Sequence, residues 1–360
     1  MTGILNLFGR KVLITLAVTV VATVITFALR SAGANSVLVF IFSAVALAGL
    51  ASLVGDGTDQ LGSRLGHGAT GVLQSALGNL PELFIAIFAL QEGLVAVVQS
   101  ALIGSVLANS LLVLGLAFLT GGLRHGVQKF GSTQTRMIST LLVLSVASLA
   151  IPTLATAPGA PDVGHAEDFS LICAVVLLVV FAASIPFSLE GGPGASAEKE
   201  AAENPWPLPL AIGLLAIAGV GAAFVSDWFV EALRPAMSAL GMSEAFVGLV
   251  IVAIAGNAVE NVVGVQMALR NKSDLAISLI MNSSLQVALA LTPALVIISQ
   301  FIGGTHLTLV FPPLFIVSLG LAAILGAFIV YDGESTWLEG AALIGLYVII
   351  AASVWWGPKI

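Results

Sequence analysis

The sequence contains little cysteine and little charge. The single cysteine, Cys173, excludes an intramolecular disulfide and a cysteine-rich metal site. The four histidines are scattered and show no metal-ligand spacing. Only 9% of the residues are charged, whereas soluble domains carry roughly 25%. The net charge of −7 argues against binding to nucleic acid.

Long apolar segments fill most of the chain. Hydrophobic residues make up 58% of it, and the mean hydropathy is +1.10. Apolar runs long enough to cross a lipid bilayer recur throughout, so we predict an all-α polytopic membrane protein. Strands are not expected, because these runs are too long and too uniformly apolar for a membrane barrel. The predicted spans are eleven transmembrane helices at about 12–29, 37–61, 69–90, 94–119, 136–156, 169–189, 208–233, 244–269, 274–302, 308–330 and 336–356.

Two short motifs indicate an internal duplication. GNLPE ends at Glu82 and GNAVE ends at Glu260, 178 residues later, and the same offset relates Ser105 to Ser283. Each copy holds five predicted spans, an odd number, so the second copy must enter the membrane from the opposite side. The predicted layout is a first helix and connection (1–36), a five-helix repeat (37–189), an acidic linker (190–207) and a second, inverted five-helix repeat (208–360).

The distribution of Lys and Arg predicts the orientation. The side that holds the N-terminus has nine basic residues and the other side has three. Since cytoplasmic loops carry the excess of Lys and Arg, we expect a cytoplasmic N-terminus and, with eleven spans, a C-terminus outside. We expect the plasma membrane of a prokaryote.

Glu82 and Glu260 lie within apolar segments. A charged side chain at the centre of the bilayer costs at least ~2.5–3.5 kcal/mol, so each is a candidate functional residue. Asn79 is three residues before Glu82, and Asn257 is three residues before Glu260, so each pair shares a helix face. Two such pairs in equivalent positions suggest one site between the halves of a transporter.

Further oxygen donors follow in the next span of each copy. They are Ser105 and Asn109 in the first copy, and Ser283 and Gln286 in the second. Backbone carbonyls are also available where a helix breaks. Pro81 has no N–H for the carbonyl of Leu77, and Gly256 weakens the helix after Ala255. Calcium takes about six to eight oxygen ligands of these kinds.

Carboxyls in such a site bind either protons or metal. A carboxyl in apolar surroundings tends to keep its proton, whereas a divalent cation requires the ionised form, so metal binding releases protons. Coupled to alternating access, this competition is antiport. Asp59 and Asp227 form a second symmetric pair near the two mouths, where they either relay cations and protons or are ordinary carboxylates at helix ends.

These segments resemble the calcium/cation antiporter superfamily, and most closely its cation/proton exchanger branch. GNLPELFIAIFAL (78–90) and GSVLANSLLVLG (104–115) resemble the first repeat of that family, and SEAFVGLVIVAIAGNAVEN (243–261) and NSSLQVALALTPALV (282–296) resemble the second. The resemblance implies an exporter of cytosolic calcium in exchange for protons, with Glu82 and Glu260 as the carboxylates that bind both. It implies that the Asn, Ser and Gln residues named above line the same pocket.

The sequence departs from that branch at a few positions. Asn261 stands where the branch usually has His, which puts the proton stoichiometry and the pH dependence in question. Asn282 replaces a Gly, and Pro81 is a feature of sodium/calcium exchangers. Val287 stands where many sodium/calcium exchangers have Asp, which argues against sodium sites.

Two alternatives stay open at this point. One is a sodium/calcium or other divalent-cation exchanger. The other is an intramembrane enzyme with Glu82 and Glu260 as an acid–base pair, which the absence of a nucleophile or resident-metal motif disfavours. We predict that the protein is not an enzyme. We expect no cofactor and no obligate protein partner, with calcium as the transported ion and the proton as the coupling ion.

Overall fold

The chain folds into a bundle of apolar helices. The computed structural model describes residues 8–65, 77–131, 133–160, 163–189 and 206–356. Within these residues nine helices are long and apolar enough to cross a membrane, and one bent pair brings the number to ten. The prediction of a helical polytopic membrane protein is therefore confirmed. The count of eleven stays a prediction, because Leu80–Gln91 is shorter and residues 69–76 of that predicted span lie outside the described ranges.

The helices follow the predicted spans in order. In the first half they are α1 Arg10–Ser31, α2 Ser36–Leu65, α3 Leu80–Gln91, α4 Val95–Leu107, the π-helix π1 Ala108–Val113, α5 Leu114–His125, α6 Thr133–Ala155 and α7 Ala166–Leu189. In the second half they are α8 Leu208–Leu240, α9 Glu244–Phe246, π2 Val247–Val252, α10 Ala253–Gly256, α11 Ala258–Leu269, α12 Ser273–Gln286, π3 Val287–Leu291, α13 Thr292–Ser299, α14 Pro313–Asp332 and α15 Trp337–Trp355.

Local sequence explains where several helices begin and end. Thr336 and Glu339 form a capping box at the start of α15, so two otherwise unpaired backbone N–H groups are satisfied. At the end of α8, Gly241 adopts the left-handed conformation (φ 66°), which glycine adopts without steric cost. A turn after Ala155 separates α6 from α7. The segment between these two helices is polar and contains glycine, a composition that predicts a turn.

One short β-ribbon corrects the expectation that the chain has no strands. Strand β1 (Gln128–Lys129) pairs antiparallel with β2 (Glu334–Ser335). Both strands lie in connections outside the apolar helices, so the constraint on strands in lipid does not apply to them. Lys129 and Glu334 form an ion pair of 2.9 Å, and the hydrogen bond from the Lys129 ammonium to this carboxylate raises the pKa of Lys129.

The core lies between the two halves of the chain. Helix α2 packs along α8, α4 packs on π2, and α11 packs against both α5 and α12. Helix α1 packs mainly on α2, where the Thr19 hydroxyl fills the space over Gly49. The helices that carry Glu82 and Glu260 are therefore held inside a bundle to which both halves contribute.

Contacts between helix ends fall on two opposite faces. On one face, which we call the basic face, three such contacts occur. The Arg64 side chain donates to the Trp206 carbonyl, and the His125 ring contacts the Leu269 carbonyl. The Gly131 backbone N–H donates to the Asp274 carboxylate. On the opposite face, which we call the Glu92 face, three further contacts occur. The Arg30 side chain donates to the Glu231 carboxylate, and the Arg234 side chain donates to the Glu92 carbonyl. The His306 ring contacts the Glu167 carboxylate. This grouping agrees with spans that alternate in direction. Which face is cytoplasmic stays a prediction.

Candidate cation site

Two half-helices begin at equivalent asparagines. Asn79 precedes α3 with φ −97° and ψ 17°, and Asn257 precedes α11 with φ −99° and ψ 25°. Glu82 and Glu260 each occupy the third position of the half-helix that follows. At Asn257 the axis bends by 64°. Because helix N-termini carry partial positive charge, both carboxylates lie where the backbone stabilises their ionised form.

Glu82 is buried and held by residues of other elements. Its Oε1 accepts hydrogen bonds from the Ser105 hydroxyl and from Asn257 Nδ2 at 2.9 Å. Asn257 Nδ2 also lies 2.5 Å from Ser105 Oγ. The other carboxylate oxygen, Oε2, is buried and has no hydrogen-bond partner among the described residues. Glu82 thus has one oxygen fixed by the protein and one oxygen available to a ligand.

The hydrogen bonds continue from Asn257 into the second repeat. Asn109 Nδ2 lies 3.4 Å from Asn257 Oδ1 and donates to Ser283 Oγ at 3.0 Å. Asn109 is fully buried, and its Oδ1 has no partner within the described ranges. Next to this pair the Ser110 and Ser284 hydroxyls lie 3.1 Å apart. The structure therefore brings together Glu82, Ser105, Asn109, Asn257 and Ser283.

Glu260 lies beside this network and is less enclosed. It is half-buried, its carboxylate accepts a hydrogen bond from its own backbone N–H, and it interacts electrostatically with Glu82. Asp59 on α2 interacts electrostatically with Glu260 and is exposed. Asp59 lies in the half of α2 that ends with Arg64 at the basic face, so Glu260 has carboxyl neighbours on two sides of the site.

The remaining predicted residues differ in burial and in their position along the helices. Asn79 and Gln286 are buried, and Gln286 is the last residue of α12, directly before π3. Leu77 directly precedes the break before α3, and Ala255 is the last residue but one of α10. Carbonyls at a helix C-terminus lack an intrahelical donor, so both positions suit a ligand. Asp227 is an exposed residue on α8.

The sequence reasoning missed two features of the site. The first is a set of π-helices, which often mark functional sites: π1 contains Asn109, and π3 follows Gln286. The second is the role of Gly256, where a Cβ atom would lie 2.4 Å from Glu82 Cγ. The glycine in GNAVE therefore makes room for the carboxylate of the other repeat. No periodicity in a single sequence signals either feature.

The available donors fit a hard divalent cation. Among the described residues no group of three or more His, Cys, Asp or Glu side chains is placed to hold a metal. A cation here would depend on two carboxylates together with amide, hydroxyl and backbone oxygens. Within the part of the chain that the structure describes, Glu82 Oε2 and Asn109 Oδ1 are two buried oxygens at this centre that have no hydrogen-bond partner. An all-oxygen set with few charges is typical of calcium rather than of zinc or copper.

Comparisons with known proteins identify the family of the chain. The profile of the family described as "Sodium/calcium exchanger protein" matches residues 35–189 and 210–356. A "Ca(2+)/H(+) antiporter" of Synechocystis sp. is 33% identical over 357 residues, covering 93% of this chain and 95% of the relative. The "Ca(2+)/H(+) antiporter ChaA" of Bacillus subtilis is 35% identical over 325 residues, covering 88% and 91%.

Solved structures of exchangers share the fold. The structure of native YfkE superposes with a TM-score of 0.82 at 31% identity, covering 95% of this chain and 99% of that one. The H+/Ca2+ exchanger CAX superposes with a TM-score of 0.75 at 15% identity, covering 96% and 92%. The profile covers most of the chain, and relatives above 30% identity cover nearly all of it. The chain therefore belongs to the sodium/calcium exchanger protein family.

Proposed function

We propose that this protein is a secondary active antiporter that exports cytosolic Ca²⁺ in exchange for H⁺ by alternating access. The observation that carries the proposal is the buried Glu82 carboxylate, which is held at one oxygen by Ser105 and Asn257 and has no partner at the other among the described residues. The names of the relatives, Ca(2+)/H(+) antiporters and vacuolar cation/proton exchangers, support calcium and the proton as the two ions.

The two glutamates would bind calcium or protons in alternation. When both are ionised they bind Ca²⁺, and the amide and hydroxyl oxygens of Asn79, Asn257, Ser105, Asn109, Ser283 and Gln286 complete its shell together with the carbonyls of Leu77 and Ala255. When calcium leaves, protons neutralise the carboxylates, because two negative charges in a buried site repel each other. Transport in either direction thus exchanges one kind of ion for the other.

The duplicated layout would supply the two access states. The family profile matches in two separate segments, and the asparagines that begin the two half-helices have nearly equal backbone angles. Both facts support inverted repeats at 37–189 and 208–360. In this layout Asp59 lies toward the cytoplasm and Asp227 toward the outside, where each would pass cations or protons to the nearest glutamate.

The discriminating experiment drives transport with one gradient at a time. Purified protein in lipid vesicles should accumulate calcium when a pH gradient is imposed and not when a sodium gradient is imposed. The physical reason is that Val287 leaves the site one carboxylate short of what many sodium/calcium exchangers present. Calcium flux driven by sodium and insensitive to pH would reject the proposal. Repeating the pH-driven assay with manganese and magnesium would give the cation preference.

Replacing Asn261 by histidine should shift the pH dependence of transport. Asn261 Nδ2 lies 3.5 Å from the Ile254 carbonyl, so the side chain is directed toward α10 and not toward Glu82. Histidine titrates at about pH 6.5, and its positive form next to Glu260 would favour the carboxylate. Below that pH calcium should compete better with protons, so flux should persist to lower pH, whereas the curves should coincide well above it. Asn261→Gln is the neutral control, and superimposable curves for Asn261→His and wild type would contradict the prediction.

A further inference from the structure

Three arginines on the basic face have no partner for their guanidinium groups among the described residues. Arg124 lies in the last turn of α5, Arg136 in the first turn of α6, and Arg270 directly after α11. All three residues are exposed. By contrast, Arg30 and Arg234 on the Glu92 face donate to a carboxylate and to a backbone carbonyl. The basic face thus carries three positive charges with which no described side chain pairs.

Helix packing brings the three arginines to neighbouring helix ends. The His125 ring lies 2.9 Å from the Leu269 carbonyl, so their chain neighbours Arg124 and Arg270 lie where α5 and α11 end side by side. Arg136 joins them from α6, because the hydroxyl of the residue before it contacts a hydroxyl of α12. Helix α12 begins only three residues after Arg270. We call Arg124, Arg136 and Arg270 the arginine patch.

The carboxylates on the neighbouring elements are engaged elsewhere. Asp274 accepts a hydrogen bond from a backbone N–H of the α5–α6 connection, and Glu334 pairs with Lys129 at 2.9 Å. Asp332 accepts the backbone N–H of Glu334, and Glu339 belongs to the capping box of α15. The arginine patch therefore keeps a positive charge that is open to an anion from outside the chain.

Exposed apolar side chains flank the patch. Leu123 and Val127 at the end of α5 are 67% and 54% exposed, and Trp337 is 49% exposed. Trp337 lies beside this end of α5, since a Cβ atom at Gly122 would be 2.7 Å from its backbone nitrogen. Tryptophan is enriched where a membrane meets water. The arginine patch therefore lies at the level of the lipid headgroups, with apolar surface next to it.

We propose that the arginine patch binds the phosphate of an anionic phospholipid. The guanidinium group presents a planar fork of donors that matches two phosphate oxygens at once, and basic sites between membrane helices bind anionic headgroups. The exposed side chains of Leu123 and Val127 would contact the acyl chains, which free phosphate lacks. Because the patch combines α5 and α6 with the end of α11, one bound lipid would link helices from both halves of the chain. The proposal does not depend on which ions the protein transports.

Native mass spectrometry of the full chain in detergent, titrated with phosphatidylglycerol, tests the proposal. Wild type should retain phosphatidylglycerol in preference to phosphatidylcholine, because the choline group of the latter neutralises the phosphate charge. The triple variant Arg124→Gln/Arg136→Gln/Arg270→Gln should bind phosphatidylglycerol roughly a hundredfold more weakly, at about fivefold per arginine. Its melting temperature without lipid checks the fold. If the triple variant does not fold, each single variant should show the fivefold loss.

The matched control removes the same charge elsewhere. The variant Arg10→Gln/Arg30→Gln/Arg234→Gln changes three exposed or partly exposed arginines outside the patch and should bind phosphatidylglycerol like wild type. An equal loss in both triple variants would overturn the proposal in favour of general attraction between charges. Equal retention of the two lipids by wild type would also overturn it. So would an equal rise in melting temperature with inorganic phosphate at the same concentration, which would indicate an anion site that does not recognise lipid.

Discussion

Replacing Glu82 or Glu260 by glutamine should reduce calcium transport at least about a hundredfold, because each replacement removes one of the two proposed charged ligands, and even residues that only orient ligands change metal affinity ~10–100-fold. Glutamine keeps the shape of the side chain and can still accept the hydrogen bonds that Ser105 and Asn257 donate to Glu82. Folding should therefore survive. Calcium uptake into vesicles under a fixed pH gradient measures the loss, and the melting temperature measures folding.

The matched control is Glu92→Gln, which removes a carboxylate from the end of the same helix at an exposed position. It should transport like wild type.

A second measurement distinguishes the two glutamates. Glu82 is enclosed by hydrogen bonds and Glu260 is half-buried beside Asp59, so protection of Glu260→Cys from thiol reagents by calcium should be easier to observe than protection of Glu82→Cys. If Glu82→Gln or Glu260→Gln keeps near-normal flux, that glutamate has a structural role only.

The sequence predicts the helices well because lipid leaves few alternatives. Every backbone polar group in the bilayer must be paired within its own helix, so long apolar runs identify spans without knowledge of their packing. The helices from Arg10–Ser31 to Trp337–Trp355 follow the predicted order. The β-ribbon was missed because Gln128–Lys129 and Glu334–Ser335 are far apart in sequence, and their pairing depends on which helix ends meet.

The candidate site was predictable as a set of residues but not as a geometry. Buried Glu and Asn residues in repeated motifs are conspicuous because their cost in lipid is high. Which donor meets which acceptor depends on how α3, α4 and α10 pack, and this packing brings Asn257 of one repeat to Glu82 of the other. The predicted shared helix faces contain no information on such contacts across the repeats.

Gly256 shows how this packing determines the site, and Gly256→Ala should disable it without removing any donor. The added Cβ would lie 2.4 Å from Glu82 Cγ and 3.0 Å from Oε1, so the Glu82 side chain would have to shift, and its hydrogen bonds with Ser105 and Asn257 would be disturbed. Because Glu82 is a proposed calcium ligand, we expect the calcium concentration for half-maximal flux to rise about 10–100-fold, the effect that displacing a metal ligand typically has. Overpacking should also cost about 1–3 kcal/mol of stability.

The control for Gly256→Ala is Gly345→Ala in α15, where the added Cβ meets no atom of the described residues within 4 Å. Alanine favours a helix over glycine by roughly 0.8–1 kcal/mol, so this variant should transport normally and melt no lower than wild type. Both variants add a methyl group at a helical glycine, and that group meets a carboxylate in Gly256→Ala and not in Gly345→Ala. An unchanged calcium dependence in Gly256→Ala would show that the contact with Glu82 is not required, and the site would then have to tolerate a displaced carboxylate.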